Sequence, residues 1–155
     1  MMRKADLVFT TADAIYSEAI KWFTQSLWSH VMVATGNGEE VISADAGGVC
    51  VRDMEPEEKE RSAVLHYPQL YDWQAGNIVR AMASLIGKKY DYFGTFVGIP
   101  LNDPDIQDPG KWFCSESAFW AYLQGPVILL ERIRVQMVTP QHLWISPLER
   151  QGEAT

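Results

Sequence analysis

The chain is poor in the residues that build metal and disulfide frameworks. It has two cysteines and three histidines in 155 residues, with no Cys-x-x-Cys and no His-x-x-x-His pair. That excludes the usual zinc spacings. Long apolar runs are also missing, and no stretch approaches the ~20 residues of a membrane-spanning helix. Met1-Met2-Arg3-Lys4-Ala5-Asp6 has no apolar signal region before strand-like residues 7–9, so a cytoplasmic protein, bacterial or phage-encoded, is the expectation. Basic residues are outnumbered, 13 against 20 acidic, for a formal net charge of −7. This argues against general nucleic-acid binding, which needs a basic face. No repeat or linker-like shift divides the sequence, and one domain over residues 1–155 is expected.

What is present is core material. Hydrophobic residues make up 47% and aromatics 12%, a composition that excludes disorder. Residues 7–9 read as a strand. Thr11 or Asp13 can cap a helix carrying Ile15, Ala19 and Phe23 at four-residue spacing. Residues 31–34 and 41–42 are short apolar runs joined through Gly36-Asn37-Gly38, a hairpin signal. With Asn37-Gly38 as the turn, Asp45 faces His30. With Gly36-Asn37, Ser43 does. In both registers alternation puts Ser43 and Asp45 on the face of His30.

Residues 49–51 and 63–67 read as further strands, and the charged run 55–61 as an exposed loop. Asp72 can cap a helix with an apolar stripe of Ile78, Val79, Met82, Leu85 and Ile86, stopped by Gly87. A long connection follows to Gly110. Its Asp103-x-Asp105-x-x-Asp108 lacks the glycine and terminal glutamate of a calcium loop and reads as a solvated acidic segment. A last helix spans 115–124, broken by Gly125-Pro126, and residues 127–130 and 133–138 are expected to be strands. The sum is an α+β domain with a mostly antiparallel sheet, or partial barrel, packed against helices.

Cys114, in Trp112-Phe113-Cys114-Ser115-Glu116, falls where a loop turns into a helix. Helix N-termini carry unpaired N–H groups and partial positive charge, which favour a thiolate and can hold an oxyanion. Such a thiolate should alkylate faster than Cys50, which lies between two valines and reads as a packing residue. His30, at a strand start, can take the thiol proton and return it to a leaving group. Ser43 or Asp45 can hold the imidazole in one tautomer. Tyr92 and Trp112 are candidate walls of the cleft. Structural roles are expected for His66 and His142. Trp28, Trp112 and Trp120 suit an apolar pocket or the core equally.

Taken in order, Ala5-Asp6-Leu7-Val8-Phe9, Trp28-Ser29-His30-Val31, Val41-Ile42-Ser43-Ala44 with Gly48-Val49, Gly87-Lys88-Lys89-Tyr90-Asp91-Tyr92, Trp112-Phe113-Cys114-Ser115-Glu116 and Thr139-Pro140 form a pattern. It resembles the circularly permuted NlpC-like cysteine hydrolases of papain fold, in the YiiX/YebB-like branch. The resemblance implies a papain-like domain whose histidine strand precedes its cysteine helix. It also implies acyl chemistry through a cysteine thioester, with no metal or organic cofactor. The implied substrates are amide or ester bonds in cell-wall peptides, acylated amino acids or lipids. The family commonly has glutamate where this chain has Ser43, so Asp45 must substitute, the orienting group is weaker, or activity is lost. The expected function is a cysteine amidase or peptidase. The alternatives are a non-catalytic binding module with a degenerate cleft, and a lipid acyltransferase or thioesterase.

Overall fold

The computed structural model describes residues 2–11, 27–45, 47–90 and 111–150. The expected helix carrying Ile15, Ala19 and Phe23, the acidic Asp103–Asp108 segment and Tyr92 lie outside these residues. The first four strands are β1 (Leu7–Thr10), β2 (His30–Ala34), β3 (Glu40–Asp45) and β4 (Gly48–Asp53). Helix α1 (Pro56–Glu60), β5 (Ser62–His66) and helix α2 (Asp72–Ser84) follow. Then come the two-residue strands β6 (Lys89–Tyr90) and β7 (Lys111–Trp112), helix α3 (Cys114–Gln124), helix α4 (Pro140–Trp144) and β8 (Glu149–Arg150).

Six strands form one open antiparallel sheet in the order β4-β3-β2-β1-β5-β8, and β6 pairs with β7 in parallel. The sheet is not closed into a barrel. Alternation along the strands divides the apolar side chains between two faces. Leu7, Phe9, Val31, Val33, Ile42 and Ala44 join Ile78 and Met82 of α2 and Ala118, Phe119 and Tyr122 of α3 in the main core. Val8, Met32, Ala34 and Val41 point the other way and cluster with Met2 and Met54. Helix α3 is thereby laid against β2 and β3, and the Tyr122 hydroxyl donates to the Ala5 carbonyl at 2.6 Å.

The β2–β3 register pairs Val33 with Ile42 and Ala34 with Val41. This is the alignment of the Asn37-Gly38 alternative, although the loop is wider than two residues: the Thr35 N–H meets the Glu40 carbonyl at 3.1 Å. Three expectations need correction. Residues 56–60 are a short helix, not a loop. Pro56 occupies its first turn, where the missing N–H costs nothing, and Glu57 and Glu58 suit its N-terminus. Residues 127–130 form no strand. Residues 133–138 contain only a 3-10 turn at Val135–Met137. Val127, Leu129 and Val138 are buried, so their apolar pattern packs on the main core without finding a strand partner. Helix α4 and β8 carried no periodic signal long enough to read.

Gly48 turns the chain from β3 into β4 with φ +106°, and a Cβ there would overlap the Lys88 carbonyl oxygen. The backbone comes this close because Val49 N–H donates to the Lys88 carbonyl at 2.9 Å. Left-handed strain alone costs an alanine about 1–2 kcal/mol. Gly48→Ala is therefore expected to lower Tm by roughly 5 °C or more. Gly76→Ala, in helix α2 where a Cβ meets nothing within 4 Å, should raise Tm slightly. Parallel thermal melts read both, and equal melting of the two variants would contradict the close approach.

Candidate active site

Antiparallel pairing sends the N–H groups of His30, Met32 and Ala34 toward β1, as Ala34 N–H to the Asp6 carbonyl shows at 2.9 Å. Those of Val31 and Val33 must then point toward β3. The β2–β3 ladder stops at Val33–Ile42, so β3 leaves the Val31 N–H unclaimed. Cys114 takes that place. It opens α3, and the Val31 N–H, its own N–H and that of Ser115 all act on its sulfur. The helix start is fixed around it. The Phe113 N–H donates to the Glu116 carboxylate at 3.4 Å, Ser115 donates to the Val138 carbonyl at 2.6 Å and Ser117 to the Cys114 carbonyl at 2.9 Å.

His30 has its ring on the opposite side of the strand from Val31. Its Nε2 lies 2.8 Å from Ser43 Oγ, and the Ser43 hydroxyl donates to Asp45 Oδ2 at 3.3 Å. Asp45 nominally faces His30 in the register, yet the direct partner is Ser43. Beyond lies Arg52, whose Nε is 3.7 Å from Asp45 Oδ2 and whose two terminal nitrogens grip Glu58 at 2.7 and 2.8 Å. The structure therefore brings His30, Ser43 and Asp45 together. It sets Cys114 against the next residue of the same strand, and among the described residues no hydrogen bond joins the Cys114 thiol to the His30 ring.

Electrostatics reverse one expectation. Burial pushes the Cys114 thiol up to about 11, against the pull of the surrounding N–H groups. The helix N-terminus does not produce a resting thiolate because the sulfur, on a residue 3% exposed, has lost its water. Burial likewise lowers His30 to about 4, with Asp45 opposing this and Arg52 reinforcing it. Thiol and imidazole both rest neutral. Cys50 is paired with Ser43 across β3 and β4, so it shares the face of His30 and is half-buried, not enclosed in the core.

Trp112 packs against Trp120 in a tilted pair, 5.2 Å between ring centroids, while Trp28 packs with Phe9 and Trp144, so the tryptophans serve two aromatic groups. His142 accepts the Thr139 N–H at the start of α4, at 3.1 Å, and His66 Nε2 meets Glu149 at 3.6 Å. A cleft of about 500 Å³ opens beside the His30 network, lined by Thr10, Asp45, Arg52, Glu57, Glu58 and Arg61 among others. Cys114 does not line it. Arg52 and Glu58 were missed from sequence, although strand alternation from Cys50 would have put Arg52 on this face.

The fold and site define an α+β protein with an open antiparallel sheet and a cysteine at the first turn of the helix packed on its histidine strand. A solved structure similar to it is that of metalloprotein YiiX from Escherichia coli O157:H7, also described as DUF1105. The two match with a TM-score of 0.71 over 98% of this chain and 97% of that one, at 16% sequence identity. The likeness is one of fold. No family model and no curated protein matches the sequence. Among the described residues no helix is long and apolar enough to cross a membrane.

Two measurements follow from these protonation states. His30 is depressed from 6.5 to about 4 in the folded protein, so below pH 6.5 the unfolded chain binds the extra proton. Stability should hold above pH 6.5 and fall by about 3 kcal/mol as pH drops to 4. His30→Gln should flatten that part of a denaturant-midpoint profile, and an unchanged slope would refute the assignment. Iodoacetamide at pH 8 should modify Cys50 before Cys114, with peptide mass mapping as the readout. Faster capture of Cys114 would mean the thiol is neither buried nor protonated as described.

Proposed function

We propose that the chain is a cysteine hydrolase, an amidase or peptidase, in which Cys114 is the nucleophile and His30 the base. The observation that carries this reading is the seat of the Cys114 sulfur. It lies at a helix start, on the N–H of Val31, the residue that follows a histidine whose ring turns to the other side of the strand and is held at Nε2 by Ser43. Sulfur attacks the acyl carbon while its proton passes to the free nitrogen of His30. The imidazolium then protonates the departing amine, a thioester remains, and water releases the acid with the proton moving back along the same path. N–H groups of the helix start, that of Cys114 first, suit the developing oxyanion.

Magnitudes choose between two forms of this chemistry. With the thiol near 11 and the imidazole near 4, burial strongly disfavours the charged form of each group at rest. Proton transfer therefore accompanies attack, and substrate binding must draw ring and thiol together. The rate should fall as pH drops through about 4. The structural neighbour is described as a metalloprotein, but among this chain's described residues no three His, Cys, Asp or Glu side chains converge as a metal site. His30 Nε2 is already committed to Ser43. The residues do not fit a metal there, and no step involves one.

The competing reading is a binding module that keeps the cleft without turnover. The buried, protonated thiol and a cleft opening on the charged side of the sheet favour it. Incubation with fluorogenic acyl esters and peptide amides, followed by intact-mass measurement, separates the two. A hydrolase gives an acyl adduct on Cys114, and Cys114→Ala should lose more than about 1,000-fold in rate at a stability cost near 1 kcal/mol. Hydrolysis by Cys114→Ala at the wild-type rate would overturn the proposal, and substrates bound but never acylated would favour the module.

A further inference from the structure

Ser43 is fully buried, so its hydroxyl must find its partners inside the protein. It has one proton and two acceptor lone pairs. The proton goes to Asp45 Oδ2, because a carboxylate only accepts. What Ser43 offers His30, at 2.8 Å, is therefore a lone pair. A neutral imidazole answering that lone pair must carry its hydrogen on Nε2 and leave Nδ1 bare. The reverse tautomer would set two acceptors, Nε2 and the carboxylate, against a single hydroxyl proton.

This direction depends on where Asp45 points, and Asp45 is held from one side by Arg52 Nε. Arg52 is in turn fixed at four further points: both terminal nitrogens donate to Glu58, one of them also to the Asp53 carbonyl at 3.3 Å, and the other to Met32 Sδ at 3.3 Å. Met32 stands two residues along β2 from His30, on the same face. The guanidinium thus spans β4, β2 and α1, and its bidentate grip leaves it one geometry.

We propose that Arg52, clamped by Glu58, is a positioning residue: it aims Asp45 at Ser43 and so sets His30 in the Nε2–H tautomer, making Nδ1 the basic nitrogen. The proposal deepens the hydrolase reading, since it names the atom that takes the Cys114 proton. It also explains why a serine can stand beside the ring without a direct carboxylate: the carboxylate acts through the hydroxyl. Asp45, Arg52 and Glu58 are the charged groups acting on the ring, with Cys50 next to Ser43 across the ladder.

The test reads the tautomer and not turnover, so its failure and the failure of the hydrolase reading are separate results. Two-bond proton–nitrogen correlation spectra at pH 7 report which His30 nitrogen carries hydrogen. Wild type should show Nε2–H. In Asp45→Asn the amide can donate to Ser43, freeing the hydroxyl proton for the ring, so the Nδ1–H population should rise about fivefold or more. Arg52→Met should shift the ratio the same way by less, and Arg52→Lys should restore part of it. Nδ1–H in wild type, or one ratio in all folded variants, would overturn the proposal. Amide spectra check folding. Should Arg52→Met not fold, Glu58→Gln loosens the same clamp and carries the same two outcomes.

Discussion

The site depends on β2 and β3 pairing at Val33–Ile42 and Ala34–Val41 and on nothing further along. A continued ladder would close the Val31 N–H onto a β3 carbonyl and leave Cys114 no partner there. Because it stops, the Val31 N–H is left for the Cys114 sulfur at the first turn of α3. The same divergence lets the His30 ring find Ser43 and not the nominally facing Asp45. One local choice in the sheet thus sets both halves of the candidate chemistry.

Two environments meet at that strand. On the helix side Cys114 is packed among Phe119, Val31 and Ala118 in the main core, and loss of water decides its protonation. On the other side the His30 ring lies in a chain of polar groups, Ser43, Asp45, Arg52 and Glu58, that runs out to a charged cleft. A core thiol and a wired imidazole are unlike the exposed thiolate–imidazolium pair that a helix N-terminus suggests. Desolvation outweighs the helix dipole here because the dipole contributes at most ~2 kcal/mol, whereas burying a charge without a full set of partners costs several.

The charged residues around Arg52 also give the sheet's second face its order. Val8, Met32, Ala34 and Val41 form only a small cluster there. The Arg52–Glu58 fork ties β4 to α1 across that cluster's edge, and Arg52 covers Met32 with the same guanidinium that meets Asp45. Packing and site geometry are therefore coupled through one side chain.

Much of the secondary structure was legible in the sequence where a period or a turn residue marked it. Alternation in β2 and β3, Asn37-Gly38 and the stripe of α2 each report a local preference. The shared face of His30, Ser43 and Asp45 followed from the two-residue repeat of a strand, whichever turn was chosen. Residues 127–138 misled because apolar alternation states only that side chains are buried, and a strand also needs a free neighbour. Helix α1 was hidden because its residues are charged all round. Which hydroxyl touches the ring, that Cys50 lies beside it, and that Arg52 and Glu58 complete the network were settled by strand divergence and cross-strand pairing. So were the protonation states of Cys114 and His30, since burial belongs to the whole packed molecule and to no stretch of residues alone.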